Sequence, residues 1–133
     1  MNAQVKDTVV DCTRASDEAR MTFPEVVAKL VAAGVERYRA DLLRAEKTYY
    51  LPDGASHVVA AKPLGAAPAR DFSSDGVHDA VRAIQARQIS YKEFCARIAA
   101  AGCVDYLVSL AGRRAVYFGR TGESYVEPFP AAN

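Results

Sequence analysis

The chain has 133 residues, of which 50% are hydrophobic and 25% are charged, a balance typical of a folded globular protein. Its 17 basic and 16 acidic residues leave a net charge of +1, which argues against a nucleic acid or an anionic membrane surface as partner. The apolar runs are far shorter than a bilayer span, and charges interrupt the N-terminal segment where a signal peptide needs an apolar core. We therefore expect a cytoplasmic protein with no nucleic-acid and no membrane partner.

The first half of the chain has the pattern of two helices followed by three strands. A helix is predicted over about residues 4–20, and because its apolar stripe is thin we expect it to pack loosely. Thr22 and Glu25 have the spacing of a capping box at the start of a second helix, which Gly34 is placed to end. After Gly34 the apolar residues recur at every second position. This period predicts strands over about residues 35–42, 46–51 and 55–61.

The second half of the chain repeats this pattern. Residues 22–59 recur without a gap at residues 90–127, and Ser90 with Glu93 forms a second capping-box pattern. A helix is predicted before this copy over about residues 74–88. The identical pairs are Glu25/Glu93, Ala28/Ala96, Ala32/Ala100, Ala33/Ala101, Gly34/Gly102, Tyr38/Tyr106, Leu42/Leu110, Tyr49/Tyr117, Gly54/Gly122, Ser56/Ser124 and Val58/Val126.

This repetition predicts the architecture. A duplicated unit gives two similar halves related by an approximate two-fold axis. We expect an α+β protein with an internal duplication of a helix-helix-three-strand unit, and an antiparallel sheet of about six strands with the helices packed on one face. The two repeats, about residues 6–59 and 74–127, are expected to form a single domain over residues 1–133, joined by a loop at 62–73.

Few residues have a pattern that indicates chemistry. The two histidines, His57 and His78, lack further ligands at metal spacing, so we predict no metal site and no cofactor. No phosphate-binding loop, dinucleotide fingerprint or hydrolase signature occurs, and no catalytic residue is predicted. The three cysteines are expected to be reduced thiols, with only Cys12 on a segment polar enough to leave it exposed.

Tyrosines on the strands are the most informative candidates. Tyr49 and Tyr117 occupy equivalent positions, and Tyr49 alternates in phase with Lys47, whereas Tyr50 and Phe118 fit better with the core. This phase places Tyr49 and Tyr117 on the sheet face away from the helices. An aromatic, mixed-charge sheet face can bind a small molecule, a peptide or a second subunit. The predicted ligand-binding residues are Tyr49, Tyr117, His57, Tyr125, Arg37 and Arg39, accompanied by Glu127.

The second copy also resembles a known family. Its segments IQARQISYKEFCARIAAAGCVDYLV and YFGRTGESYVEPFP are similar to a bacterial family of unknown function whose members are often labelled "phage envelope protein". The resemblance covers about residues 21–130. It implies a small α+β protein, and it supplies no catalytic residue, cofactor or substrate.

Three functional hypotheses follow. The first is a non-enzymatic ligand-binding or interaction module, which works through the tyrosine-bearing sheet face or the seam between the halves. The second is a structural protein that pairs with copies of itself, as a homodimer or larger homo-oligomer. The third is an enzyme that uses a tyrosine, His57 and an acid in a cleft, which would need titratable groups with perturbed pKa values.

Overall fold

The computed structural model describes residues 1–130, which form four helices and six strands. The same order of elements, helix-helix-strand-strand-strand, occurs twice, so the predicted α+β fold is confirmed and the order is consistent with duplication. The first unit contains α1 (Ala3–Asp17), α2 (Phe23–Ala32), β1 (Arg37–Asp41), β2 (Glu46–Tyr50) and β3 (Ser56–Ala60). The second contains α3 (Ser74–Gln85), α4 (Tyr91–Ala100), β4 (Cys103–Ser109), β5 (Arg114–Gly119) and β6 (Ser124–Pro128).

Helices α2 and α4 begin and end as the sequence predicts. Thr22 and Ser90 each accept a hydrogen bond from the backbone amide three residues later, and the glutamate there reaches back to the cap. Gly34 and Gly102 follow the two helices with φ values of 84° and 89°, in the left-handed region that ends a helix. Local chemistry therefore sets the boundaries of both helices.

The two units join through their first strands into one antiparallel sheet, in the order β3-β2-β1-β4-β5-β6. At the junction Arg39 lies opposite Leu107, its own counterpart in the duplication. A residue that pairs with its counterpart marks the approximate two-fold axis, which therefore passes through the sheet between β1 and β4.

All four helices pack on one face of the sheet, and the core lies between the two layers. We call the opposite, uncovered side of the sheet the open face. Helix α1 corrects two expectations, because Cys12 is fully buried and the polar side chains of Thr13 and Ser16 are also buried. The hydroxyls donate hydrogen bonds to the carbonyls of Val9 and Cys12, so this helix packs closely in spite of its polar residues.

Within residues 1–130, no helix has the length and apolar character needed to cross a membrane.

Candidate functional site

The structure corrects the predicted tyrosine surface. Tyr49 is 1% exposed and Tyr117 is 6% exposed, and both rings lie in the core beneath the helices. Each packs against the equivalent tyrosine of the neighbouring strand, Tyr38 or Tyr106, with ring centroids 5.2 Å apart in both copies. Tyr49 and Tyr117 therefore do not lie on the open face.

A buried lysine explains the error. Lys47 and Tyr49 have the same phase on β2, and a lysine in that phase normally indicates the solvent face. Instead Lys47 is 4% exposed and lies on the helix side of the sheet. The other phase of β2 carries Tyr50, which is half-buried on the open face beneath the guanidinium of Arg37 at 3.9 Å from its centroid. The expectation that Tyr50 and Phe118 belong to the core is wrong for the same reason.

The remaining predicted residues are divided between the two faces. Arg37 and Arg39 lie on the open face, where Arg39 forms an ion pair with Asp105. His57 lies opposite Tyr49 and is on the helix side. Tyr125 is also on the helix side, and its hydroxyl is 2.7 Å from Nδ1 of His78. The structure therefore does not bring the six predicted residues together into one site.

A different site lies at the seam, where β2 of the first unit faces α4 of the second. The ammonium nitrogen of Lys47 is 4.4 Å from the ring centroid of Tyr91 and 5.7 Å from that of Tyr38. These distances are those of cation–π contacts, which compensate part of the cost of burying the charge. No carboxylate within residues 1–130 lies at ion-pair distance from Lys47.

Lys47 lies beside a small cleft that we call the seam cleft. It has a cavity volume of about 30 Å³, and Tyr91 and Cys95 from α4 form one wall. The hydroxyl of Tyr91 is hydrogen-bonded to that of Tyr106. The other lining residues come from the end of α1, from β1, β2 and the turn between them, and from the loop that joins the units: Asp17, Ala40, Asp41, Leu42, Ala45, Glu46, Ala61, Lys62 and Leu64. Both units therefore contribute to the cleft.

Burial dominates the electrostatics of the seam cleft. It lowers the pKa of Lys47, although the nearby Cys95 and Asp17 act in the opposite direction. It raises the pKa of Tyr91 well above the usual value. It also raises the pKa of the Cys95 thiol, against the influence of the Tyr91 hydroxyl and the Lys47 charge. The cleft therefore combines an amine of lowered pKa with a neutral thiol and a neutral phenol.

At the position related to the seam cleft by the approximate two-fold axis, an aromatic ring stands in place of Ala61. There Phe129 packs edge to face against Phe23, and the guanidinium of Arg113 lies 5.4 Å from the Phe129 centroid. Phe129 is the counterpart of Ala61, and each donates a backbone hydrogen bond of 2.8 Å to an equivalent carbonyl, that of Arg113 or of Ala45. The backbones match, so the methyl group of Ala61 leaves space where the second copy has the ring of Phe129.

The same comparison explains the polarity of the cleft. Lys47, Tyr91 and Cys95 stand where the other copy has Ala115, Phe23 and Val27. All three differences add a titratable group, and all three meet at one place. Sequence reasoning missed this site, although the signal was present in the aligned copies: a cluster of polar-for-apolar differences that the fold brings together.

Among residues 1–130, two further features of the surface lack the buried, unpaired polar group that the seam cleft has. A wider groove of about 430 Å³ lies between α1 and α2, but its lining side chains, such as Gln4, Asp11 and Lys29, are all exposed or half-exposed. A polar cluster beside α3 pairs Arg82 with the buried Glu127 at 3.0 Å, and its groups are satisfied by one another. Within the described residues no group of three or more His, Cys, Asp and Glu side chains is placed to hold a metal ion.

Comparison with known proteins identifies relatives but no activity. Residues 66–127, which include α3, α4, β4, β5 and all but the last residue of β6, match a family described as "Protein of unknown function (DUF1398)". Uncharacterized proteins from Mycobacterium bovis and from two strains of Mycobacterium tuberculosis are each 34% identical to this chain over 111 residues. The matched region covers 82% of this chain and 67% of each relative.

Proposed function

The chain belongs to the DUF1398 family of proteins of unknown function, and from its geometry we propose that it is a non-enzymatic binding protein for a small molecule, held in the seam cleft. One observation carries this proposal: a buried lysine ammonium lies between two tyrosine rings beside an open cleft, while the pseudo-symmetric position holds two phenylalanine rings in contact with each other.

The asymmetry matters because the buried charge has an energetic cost. An ammonium group loses its hydration in the core, and cation–π contacts return only part of that free energy. At the equivalent position the same fold accommodates Ala115, which is also buried. Folding therefore does not require a lysine at this point of the repeat. A residue that costs stability beside an open cleft is typical of a binding site.

The experiment is a fragment screen by two-dimensional NMR, using uncharged molecules of a few heavy atoms. We expect binders to shift the amide signals of β2 and α4, around Lys47 and Cys95. The matched variant is Ala61→Phe, which supplies the ring found at Phe129 and should remove those shifts while the rest of the spectrum stays the same. If no fragment perturbs these signals, or if the perturbations persist in Ala61→Phe, the seam cleft is not the binding site.

The open face supports a second candidate function, self-association with a second copy of the chain. One row of open-face residues crosses the whole sheet and is largely apolar: Val58, Thr48, Arg39, Leu107, Val116 and Val126. Val126 is 45% exposed at one end of the row. No helix of residues 1–130 covers this face, so a partner would bury this apolar surface.

The size of the open face sets the strength of such a dimer. Six strands about 4.8 Å apart and about 17 Å long give an area of about 500 Å² per copy. A stable interface buries about 800 Å² per partner, so we expect a weak, concentration-dependent dimer. Light scattering over a concentration series tests this, with Val126→Lys as the disruptive variant. Val31→Lys is the matched control, because Val31 is 57% exposed on α2, away from the sheet. A mass that stays monomeric at all concentrations excludes this function.

A further inference from the structure

We propose that Lys47 captures short-chain aliphatic aldehydes as reversible imines in the seam cleft. This inference rests on the binding role proposed above and adds the chemical class of the bound molecule and the bond that holds it.

The surroundings of Lys47 favour a nucleophilic amine. Its nitrogen faces the rings of Tyr91 and Tyr38 rather than a carboxylate. Burial lowers the pKa of this amine, so a larger fraction is uncharged at neutral pH than for an exposed lysine. A lysine desolvated in this way is the type of side chain that forms Schiff bases with carbonyl compounds.

The space beside Lys47 selects among carbonyl compounds. A cavity of about 30 Å³ has room for a water-sized group beside Lys47, so the small formyl group of an aldehyde fits there better than the bulkier carbonyl group of a ketone. The alkyl chain of the aldehyde then extends towards Ala61 and Leu64, which are half-buried at the wall. The geometry therefore favours a short, unbranched aldehyde.

Charges around the cleft narrow the class further. Asp17, Asp41 and Glu46 are among the lining residues, Lys47 and Lys62 are the basic ones, and Glu46 is already paired with Arg44 at 2.7 Å. The lining therefore has no surplus of positive charge to hold a carboxylate, so a carbonyl compound that carries one, such as a keto acid, gains nothing from its charge. A neutral aldehyde needs no such partner.

The chemical step needs no cofactor and no change of oxidation state. The nitrogen lone pair of Lys47 attacks the carbonyl carbon, and the π electrons of the C=O bond move to oxygen. A proton passes from nitrogen to that oxygen and gives a carbinolamine. The C–O bond then breaks, a C=N bond forms, and the second amine proton leaves with the oxygen as water. Addition of water reverses every step, so the aldehyde is released unchanged.

Reductive trapping tests the proposal on the full chain. The protein is incubated with propanal and sodium cyanoborohydride at neutral pH. Peptide mapping of samples taken over time locates the alkylated lysines and gives the alkylation rate of each. Lys6, Lys29 and Lys92, which do not line the cleft, are internal controls in the same sample. We expect Lys47 to be alkylated roughly tenfold faster than each of them, in spite of its burial. Alkylation of Lys47 at an equal or lower rate overturns the proposal.

Two comparisons test the geometry. Ala61→Phe should reduce the alkylation of Lys47 to the rate of the control lysines without altering theirs, and acetone should leave Lys47 unmodified in the native chain. Fast labelling of Lys47 in Ala61→Phe, or with acetone, overturns the role of the cleft in selecting the aldehyde.

The two experiments distinguish failure of the imine proposal from failure of the binding proposal. Fragment shifts that depend on Ala61, without selective alkylation of Lys47, retain the binding site and reject the imine. Absence of both rejects the binding site itself.

Discussion

The rings of Phe23 and Phe129 meet edge to face, with their centroids 5.4 Å apart, at the position related by the approximate two-fold axis to the contact of Tyr91 with the seam cleft. Ala61 is the counterpart of Phe129, and its methyl group leaves space at the seam cleft. The duplication thus produces one version of the junction with a phenylalanine ring and one without it. This difference allows the effect of the ring to be tested in both directions.

We expect Phe129→Ala to lower the free energy of unfolding by about 2 kcal/mol, because a partly buried ring loses its contacts with Phe23 and Arg113. The reciprocal change, Ala61→Phe, should leave the free energy of unfolding within about 1 kcal/mol of the native value, since the added ring enters existing space beside Tyr91. Urea unfolding followed by circular dichroism measures both. If Ala61→Phe destabilises the chain as much as Phe129→Ala, the two positions are not structurally equivalent.

Lys47 should reduce the stability of the native chain. We expect Lys47→Met to raise the free energy of unfolding by about 1 kcal/mol at neutral pH, because an unbranched apolar side chain fills similar space without the desolvation of an ammonium group. Urea unfolding of the two proteins gives the difference. A clear loss of stability in Lys47→Met would mean that the ammonium group contributes to folding, and the argument for a binding role would lose its energetic support.

The gain from Lys47→Met should depend on pH. Burial lowers the pKa of Lys47 in the folded state below the ordinary value of 10.5, so between the folded-state pKa and 10.5 the unfolded chain holds more protons at this site. The native chain therefore becomes more stable as pH rises through this window, and the gain of the methionine variant shrinks. Unfolding of both proteins at neutral and at mildly alkaline pH checks the sign. A gain that grows with pH contradicts the lowered pKa of Lys47.

The hydroxyl of Tyr49 has a structural role that its counterpart lacks. It lies 2.8 Å from the hydroxyl of Thr13, and both groups are buried. We expect Tyr49→Phe to lower the free energy of unfolding by about 1 kcal/mol, since the change leaves Thr13 without this partner. Tyr117→Phe is the matched control, because Val81 stands where α1 has Thr13, and it should cost less. Equal losses in the two variants would show that the Thr13 contact contributes nothing measurable.

The sequence predicts those parts of the fold that local chemistry determines. The capping boxes at Thr22 and Ser90, the helix ends at Gly34 and Gly102, and the two-residue period of the strands each depend on a few neighbouring residues. The repeat adds tertiary information, because two identical patterns in one chain indicate two similar units.

The faces of the strands could not be assigned in this way. Both phases of β2 and β5 carry aromatic residues, so alternation alone does not identify the core side. The charge of Lys47 then favours the wrong phase, because lysine is almost never fully buried. The seam cleft could not be predicted from one repeat either, because Lys47 and Tyr91 belong to different units. They meet only when β1 pairs with β4, which places β2 of the first unit beneath α4 of the second.

The loop between the two units should make Gly102 far less replaceable than Gly34. Both glycines have positive φ, so alanine at either position costs roughly 1 kcal/mol in backbone strain. A Cβ at Gly34 meets no atom within 4 Å, whereas at Gly102 it collides with the carbonyl oxygen of Asp71 and lies 2.7 Å from the Cα of Phe72.

That stretch of the loop is held by a backbone hydrogen bond of 2.7 Å from Ser73 to the carbonyl of Ala101, so it cannot move away without breaking this contact. We expect Gly102→Ala to cost roughly 3 kcal/mol and Gly34→Ala only the strain common to both, measured as the free energy of unfolding in urea. Similar losses of stability at the two positions would show that the joining loop is not fixed against the end of α4.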